Sequence, residues 1–143
     1  MRKSELMTLW NVESWAVEPY GVYFVSRRLG TNRLENEVKA FQKLNISCTN
    51  YTEVEVLSLP MWEQLSVQLD KLDQLAQEII QKEIPQEESV VLTLTDIMLD
   101  KSGCYDSFAL GYDIGESPAG HLYVLVSFDE NLTAQQDVIY ETF

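Results

Sequence analysis

This 143-residue sequence has few of the residues and motifs that most enzymes use for chemistry. It contains one histidine, His121, and two cysteines, Cys48 and Cys104. The closely paired histidine and cysteine ligands of a zinc site are missing, as are the glycine-rich phosphate loop and the acidic calcium loop. A nucleophile set of Cys104, His121 and Asp106 can be written down, but no local signature surrounds the cysteine. We therefore expect a protein that is not an enzyme and that uses no metal or cofactor.

Long apolar runs are absent as well. No stretch approaches the about 18 consecutive apolar residues of a membrane-spanning helix. The basic start of the chain is not followed by the roughly 7–15-residue apolar segment of a signal peptide, so a cytoplasmic location is expected. Two cysteines cannot build a disulfide framework, and both are predicted to be free, buried thiols.

Basic residues are scarce, and their distribution is uneven. Ten lysines and arginines stand against 23 acids, which gives a net charge of −13 and a pI near 4.3. Residues 44–143 carry 18 of the acids and three of the bases, and no base follows Lys101. Such a charge repels phosphate backbones and anionic membrane surfaces and attracts basic partners. The sequence therefore predicts a basic protein partner, no nucleic acid and no membrane.

The remaining composition is typical of one globular domain. Apolar residues make up 45% and charged residues 23%, and a chain of this length normally forms a single core. We expect one domain over 1–143 of the α+β class, with a mostly antiparallel sheet packed against one long amphipathic helix (about 60–82) and shorter helices. The helix is predicted from a seam with steps of three and four residues: Trp62, Leu65, Leu69, Leu72, Ala76 and Ile79.

Shorter patterns predict the other elements. Strands are indicated by runs of β-branched and aromatic residues, and helices by apolar residues three or four positions apart. The predicted elements are strand-forming segments over 5–28 with a turn at 18–21, a helix over 32–45, strands over 54–59 and 90–94, a helical turn over 96–101, an antiparallel pair over 108–114 and 122–128, and a helix over 132–140.

An acidic surface that also carries tyrosines is the predicted binding site. Carboxylates steer a basic partner towards the surface, and desolvated tyrosines anchor it. Because side chains alternate between the two faces of a strand, the sequence leaves open whether Tyr112 and Tyr123 lie in the core or on the surface. The candidate residues are Asp106, Tyr112, Asp113, Glu116, Tyr123, Asp129 and Glu130 around the last two predicted strands, with Glu87 and Glu88 in a second acidic loop.

In size, acidity and lack of catalytic groups, the whole chain resembles the immunity proteins of bacterial contact-dependent and polymorphic toxin systems. The resemblance is one of general character and does not depend on a motif. It implies an inhibitor that covers the active-site cleft of a basic, nuclease-type toxin and that is a monomer or weak dimer. Two alternatives remain at this point: a nucleic-acid mimic or adaptor of phage or mobile-element origin, and a self-assembling scaffold that uses the 62–79 helix seam.

Overall fold

A seven-stranded sheet and three helices make up the computed structural model, which describes residues 1–29, 41–83, 92–103, 105–117 and 120–142. In chain order the elements are α1 (Lys3–Leu9), β1 (Val12–Glu18), β2 (Gly21–Leu29), β3 (Phe41–Thr49), α2 (Glu53–Ser58), α3 (Trp62–Glu83), β4 (Leu94–Asp100), β5 (Phe108–Ser117), β6 (Gly120–Phe128) and β7 (Ala134–Thr142).

The strands lie in the sheet in the same order as in the sequence, from β1 to β7. Every neighbouring pair is antiparallel except β3 and β4, which are parallel. A parallel pair needs a long crossover connection, and α2 and α3 lie in the connection between these two strands. The predicted α+β class, the mostly antiparallel sheet and the long helix are therefore confirmed, as is the antiparallel pair that forms β5 and β6.

The long helix α3 buries its whole predicted seam. All six seam residues are buried, and Ile80 is buried with them, whereas Leu75 on the border of the stripe is 38% exposed. The buried side joins one core with inward residues of the sheet such as Phe24 and Ile97. Trp62 sits near the start of the helix, where its indole Nε1 donates a hydrogen bond to the Val56 carbonyl at 2.8 Å.

Residues 54–59 were predicted as a strand, but the structure has a helix, α2, over Glu53–Ser58. A capping box explains the difference: the Thr52 hydroxyl accepts from the Glu55 backbone N–H at 3.2 Å, and the Glu55 carboxylate accepts from the Thr52 N–H at 3.1 Å. These two bonds satisfy N–H groups that a helix start would otherwise leave open. The local cap therefore overrides the strand-like alternation of Val54-Glu55-Val56.

Two further predictions are wrong in the middle of the chain. The helix predicted over 32–45 is a strand, β3, from Phe41 onwards, and the rest of that prediction lies outside the described residues. The helical turn predicted over 96–101 is part of strand β4. A register shift between Leu94 and Asp96 turns both Leu94 and Ile97 towards the core. A bulge of this kind imitates the three-residue spacing of a helix.

Predictions at both ends of the chain also need correction. The segment predicted to form strands from residue 5 begins with the helix α1, which buries Leu6. The helix predicted over 132–140 is the edge strand β7, in which Val138 pairs with Val126 of β6. One more correction falls in the middle of the chain: the strand predicted over 90–94 begins only at Leu94, and residues 90 and 91 lie outside the described ranges. In both terminal elements, pairing or packing with distant residues decides the conformation.

Substitutions on α3 test which side of the helix the core occupies. Leu69 is 2% exposed and Val67 is 84% exposed. We expect Leu69→Ala to lower the free energy of unfolding by about 2–5 kcal/mol, because it leaves a cavity in the core. Val67→Ala, the matched control, changes it by less than about 0.5 kcal/mol. Urea unfolding measures both, and equal effects would contradict the described orientation of the helix.

Candidate functional site

The predicted binding residues divide between the two ends of the β5–β6 hairpin. Asp106 precedes β5, and Asp129 and Glu130 follow β6, so these three lie at one end. Asp113 of β5 pairs with Tyr123 of β6 towards the other end. The ten residues of β5 extend over about 30 Å, so the three acids at one end and Asp113 towards the other do not form one continuous patch.

Four predicted residues remain: Glu116, Glu87, Glu88 and Tyr112. Glu116 pairs with His121 in the β5–β6 ladder, and Glu87 and Glu88 lie outside the described residues. Tyr112 is fully buried, and its hydroxyl donates to the carboxylate and, at 3.2 Å, to the backbone carbonyl of Asp73 on α3. The prediction of Tyr112 as a partner-binding residue is therefore wrong, because its side chain points into the core.

A groove of about 420 Å³ lies beside the first of these two groups. We call it the loop-end groove, because it runs between the α2–α3 junction and the turn that joins β6 to β7. Its walls combine apolar and polar side chains from three separate stretches of the chain. The lining residues are Leu59, Pro60, Met61, Gln64, Gln68, Ser107, Glu130, Asn131 and Leu132.

Asp129 holds the turn that forms one wall of the loop-end groove. Its Oδ1 accepts hydrogen bonds from the backbone N–H groups of Asn131 at 2.8 Å and Thr133 at 2.9 Å. Leu132 has a φ of 62°, a left-handed conformation that is costly for a branched side chain. The bond from the Leu132 N–H to the Asp129 carbonyl at 3.0 Å helps to maintain it. The result is that Leu132 faces both the groove and the core.

Asp106 is fixed at the same end of the sheet by two hydrogen bonds. Its backbone N–H donates to the Ser127 hydroxyl at 2.9 Å, and its carboxylate accepts from the Gln135 side-chain amide at 3.0 Å. The carboxylate nevertheless belongs to an exposed residue. Of the three acids at this end of the hairpin, Glu130 lines the groove, and Asp106 and Asp129 are the chain neighbours of the lining residues Ser107 and Glu130.

The described bases of the opening segment form no ion pair with these three acids. Ion pairs between described residues join Arg2 to Glu5, Lys3 to Glu53, Lys43 to Glu13 and Lys101 to Glu55. Within the described part of the chain, none reaches Asp106, Asp129 or Glu130. We call these three acids the acidic rim of the loop-end groove, and none of the described bases would have to be displaced for a basic partner to approach it.

A second acidic group lies on the outer face of the sheet, the side away from α3. Asp96 of β4 is 9% exposed, and its burial raises the pKa of the carboxyl group above the ordinary value of 3.8. The hydrogen bond from the Thr95 hydroxyl, at 2.7 Å, opposes this rise, and the nearby charge of Asp113 adds to it. The pKa of the Tyr123 hydroxyl is also raised, by loss of solvent and by the charges of Asp96 and Asp113.

Sequence reasoning missed the apolar half of the loop-end groove and the buried acid. Leu59 and Met61 lie far along the chain from Leu132, so no local pattern announces that they share a wall. Asp96 was placed in a helical turn instead of on a sheet face. Had residues 94–100 been predicted as a strand, Asp96 would have been recognised as a charged residue on a central strand of the sheet.

Cys48 is a free, buried thiol, as predicted, and burial raises its pKa to about 12, so it is a poor nucleophile. In the described ranges, no group of three or more histidine, cysteine or acidic side chains is placed to hold a metal ion, and no helix has the length and apolarity to cross a membrane.

Comparison of the chain with protein-family models, curated proteins and solved structures gives no match.

Substitutions of Asp129 separate its charge from its role in the turn. We expect Asp129→Ala to lower the free energy of unfolding by about 1–2 kcal/mol, because two backbone N–H groups lose their acceptor. Asp129→Asn retains an oxygen that accepts both bonds, so it should stay within about 0.5 kcal/mol of the parent chain. Urea unfolding distinguishes the two, and a destabilised Asp129→Asn variant would show that the charge itself holds the turn.

The raised pKa of Asp96 predicts a pH-dependent effect of Asp96→Asn. The unfolded chain releases this proton at lower pH than the folded chain, so the wild type loses stability as the pH rises from about 4 through the raised pKa. Asparagine carries no charge at any pH and accepts the Thr95 bond. The advantage of the variant in urea unfolding should therefore grow between pH 4 and pH 7, and a pH-independent difference would contradict this assignment.

Proposed function

We propose that this chain is an acidic, protein-binding inhibitor that recognises a basic partner at the loop-end groove. The observation that carries the proposal is the acidic rim: Asp106, Asp129 and Glu130 lie at the same end of the sheet as the groove, Glu130 is part of its lining, and none of the three has a basic partner among the described residues. Two of these carboxylates are fixed by hydrogen bonds. Charges that are already in position lose little conformational freedom when a partner binds.

The charge and the groove contribute to different stages of binding. The net charge of −13 acts over a distance of about one Debye length and speeds the encounter with a cationic surface, by about tenfold or more at low salt. At contact, an apolar side chain of the partner fills the groove between Met61 and Leu132 and excludes water. Steering then sets the association rate, and the buried anchor sets the lifetime of the complex.

Within this class, an immunity protein for a nuclease-type toxin fits the acidic rim best. A nuclease binds the phosphate chain of its substrate in a basic cleft. Fixed carboxylates present negative charge to the same cleft, and the body of the inhibitor then blocks access to it. The mechanism is occlusion, so it needs no catalytic group in this chain.

A self-assembling scaffold would need the 62–79 helix seam to be exposed for contact with other copies of the chain. Its interface was the 62–79 seam, and all six seam residues are buried against the sheet of the same chain. A nucleic-acid mimic or adaptor of phage or mobile-element origin remains the second candidate, because it would use the same acidic rim. The partner's identity separates the two: a toxin nuclease supports the immunity protein, and a host DNA-binding protein supports the mimic.

Removing the rim charges tests the proposal. The chain is immobilised and exposed to a lysate of its native host at low salt, and the bound protein is eluted as the salt concentration rises, identified and assayed for nuclease activity. We expect a basic nuclease that the wild-type chain inhibits. The triple variant Asp106→Asn, Asp129→Asn, Glu130→Gln should bind it about ten- to a hundredfold more weakly, because each charge contributes up to about one factor of ten.

A second triple variant controls for net charge. Glu18→Gln, Glu78→Gln, Glu83→Gln removes three exposed carboxylates that lie outside the loop-end groove. This variant should retain most of the affinity and the inhibition. Equal losses in both variants would show that overall charge, and not the rim, recognises the partner, and an acidic partner would overturn the proposal altogether.

A further inference from the structure

We propose that the outer face of the sheet carries a second binding site, one that takes a guanidinium or ammonium group on an alkyl chain. The site is a cavity of about 340 Å³ that shares no lining residue with the loop-end groove. We call it the outer-face cavity. Its walls include two tyrosines, Tyr23 and Tyr105, and two carboxylates, Asp100 and Glu141, with Met98 between them.

The strand register places one wall of the outer-face cavity. Tyr23 of β2 pairs with Ser47 of β3, which in turn pairs with Met98 of β4, so their side chains lie in a row across the sheet. Gly21 leaves room for the ring of Tyr23 to lie along its own strand. A Cβ atom at Gly21 would come within 3.0 Å of the Tyr23 hydroxyl and 2.7 Å of the Cys48 carbonyl oxygen.

Tyr105 closes the opposite wall by linking two strands. It comes from the segment before β5, and its hydroxyl donates to Glu141 Oε1 of β7 at 2.9 Å and approaches the sulfur of Met98 at 3.6 Å. This bond orients the Glu141 carboxylate. A carboxylate accepts about four hydrogen bonds in all, so one bond from Tyr105 leaves Glu141 able to receive a ligand cation.

Asp100 provides the second negative charge and is also held in place. Its Oδ1 accepts from the backbone N–H of Ser102 at 2.9 Å and lies 3.4 Å from the Asn50 side-chain amide. The adjacent Lys101 directs its ammonium group to Glu55 of α2. The described residues that line the cavity include two acids and no base.

The combination of aromatic rings and carboxylates selects an organic cation. A guanidinium or ammonium group is attracted both to the face of a tyrosine ring and to a carboxylate, and an alkyl stem packs on a thioether such as that of Met98. The volume is near the lower limit of about 300–1,000 Å³ for ligand pockets, so it suits one alkyl cation. Such a group can come from a free amine or from an arginine or lysine of a bound protein.

Titration with agmatine, a free alkyl guanidinium, tests the site directly. The ¹⁵N-labelled chain is followed by NMR as agmatine is added into the millimolar range. We expect saturable shifts of backbone amides near Tyr23, Met98 and Glu141. N-butylurea, a neutral molecule with a similar planar head, should cause no saturable shift, because the attraction depends on charge.

Glu141→Gln is the diagnostic variant, because it removes the charge and keeps an oxygen that accepts the Tyr105 bond. We expect it to weaken agmatine binding about tenfold, whereas the control Glu78→Gln, an exposed residue of α3 outside both sites, leaves binding unchanged. The absence of a saturable shift with agmatine, equal binding of butylurea, or unchanged binding by Glu141→Gln would each overturn the proposal.

A second arm of the titration distinguishes the source of the cation. The peptide acetyl-Gly-Arg-Gly-amide presents the same guanidinium on a protein backbone. Tighter binding of the peptide supports an arginine of a partner protein, and tighter binding of agmatine supports a free amine. Because the rim variants of the loop-end groove leave this cavity intact, failure of one proposal is distinguishable from failure of the other.

Discussion

The burial of one side of α3 against the sheet is the interaction on which the rest of the structure depends. Trp62 lies at the start of this buried side, and its ring is edge-on to Trp10 of the N-terminal segment, with ring centroids 5.9 Å apart, and to Phe24 of β2, with centroids 5.7 Å apart. These contacts join the crossover connection to the first strands. They also fix the start of α3 next to the β6–β7 turn, and the loop-end groove forms where the two meet.

Charge is arranged in two different ways around this core. Near the N-terminus and α2, acids such as Glu53 and Glu55 have lysine partners, so local charges there partly cancel. At the loop end, Asp106 and Asp129 have polar partners that orient them without neutralising them. An exposed ion pair contributes little to stability. The main consequence of leaving the loop-end acids without lysine partners is therefore the negative electrostatic field that a partner protein encounters there.

The sequence predicts the elements whose patterns are long, and it fails where distant residues decide. The seam from Trp62 to Ile79 repeats over several turns, and the helix follows it closely. The bulge before Asp96 depends on its pairing with β5, and β7 depends on its pairing with β6, so neither could be read from local spacing. The capping box of α2 consists of Thr52 and, three residues later, Glu55, but the sequence prediction considered only the strand-like alternation of valines over 54–56 and not this cap.

The candidate site was predictable only in part, for the same reason. Asp106, Asp129 and Glu130 could be named as acids beside the last predicted strands, but their separation from Asp113 required the strand register. The side-chain direction of Tyr112 was open until the register placed it opposite Val124 on the core face. The apolar wall of the groove, from Leu59 to Met61, could not be predicted, because it depends on where the start of α3 packs in the folded chain.

Hydrogen–deuterium exchange of the chain with and without its basic partner tests the central claim most directly. Binding at the loop-end groove predicts slower exchange of backbone amides in segments 59–64 and 129–133, which flank it. The exposed side of α1 and the β1 edge should exchange at unchanged rates. Protection that appears on β1 and leaves both groove segments unchanged would contradict the account.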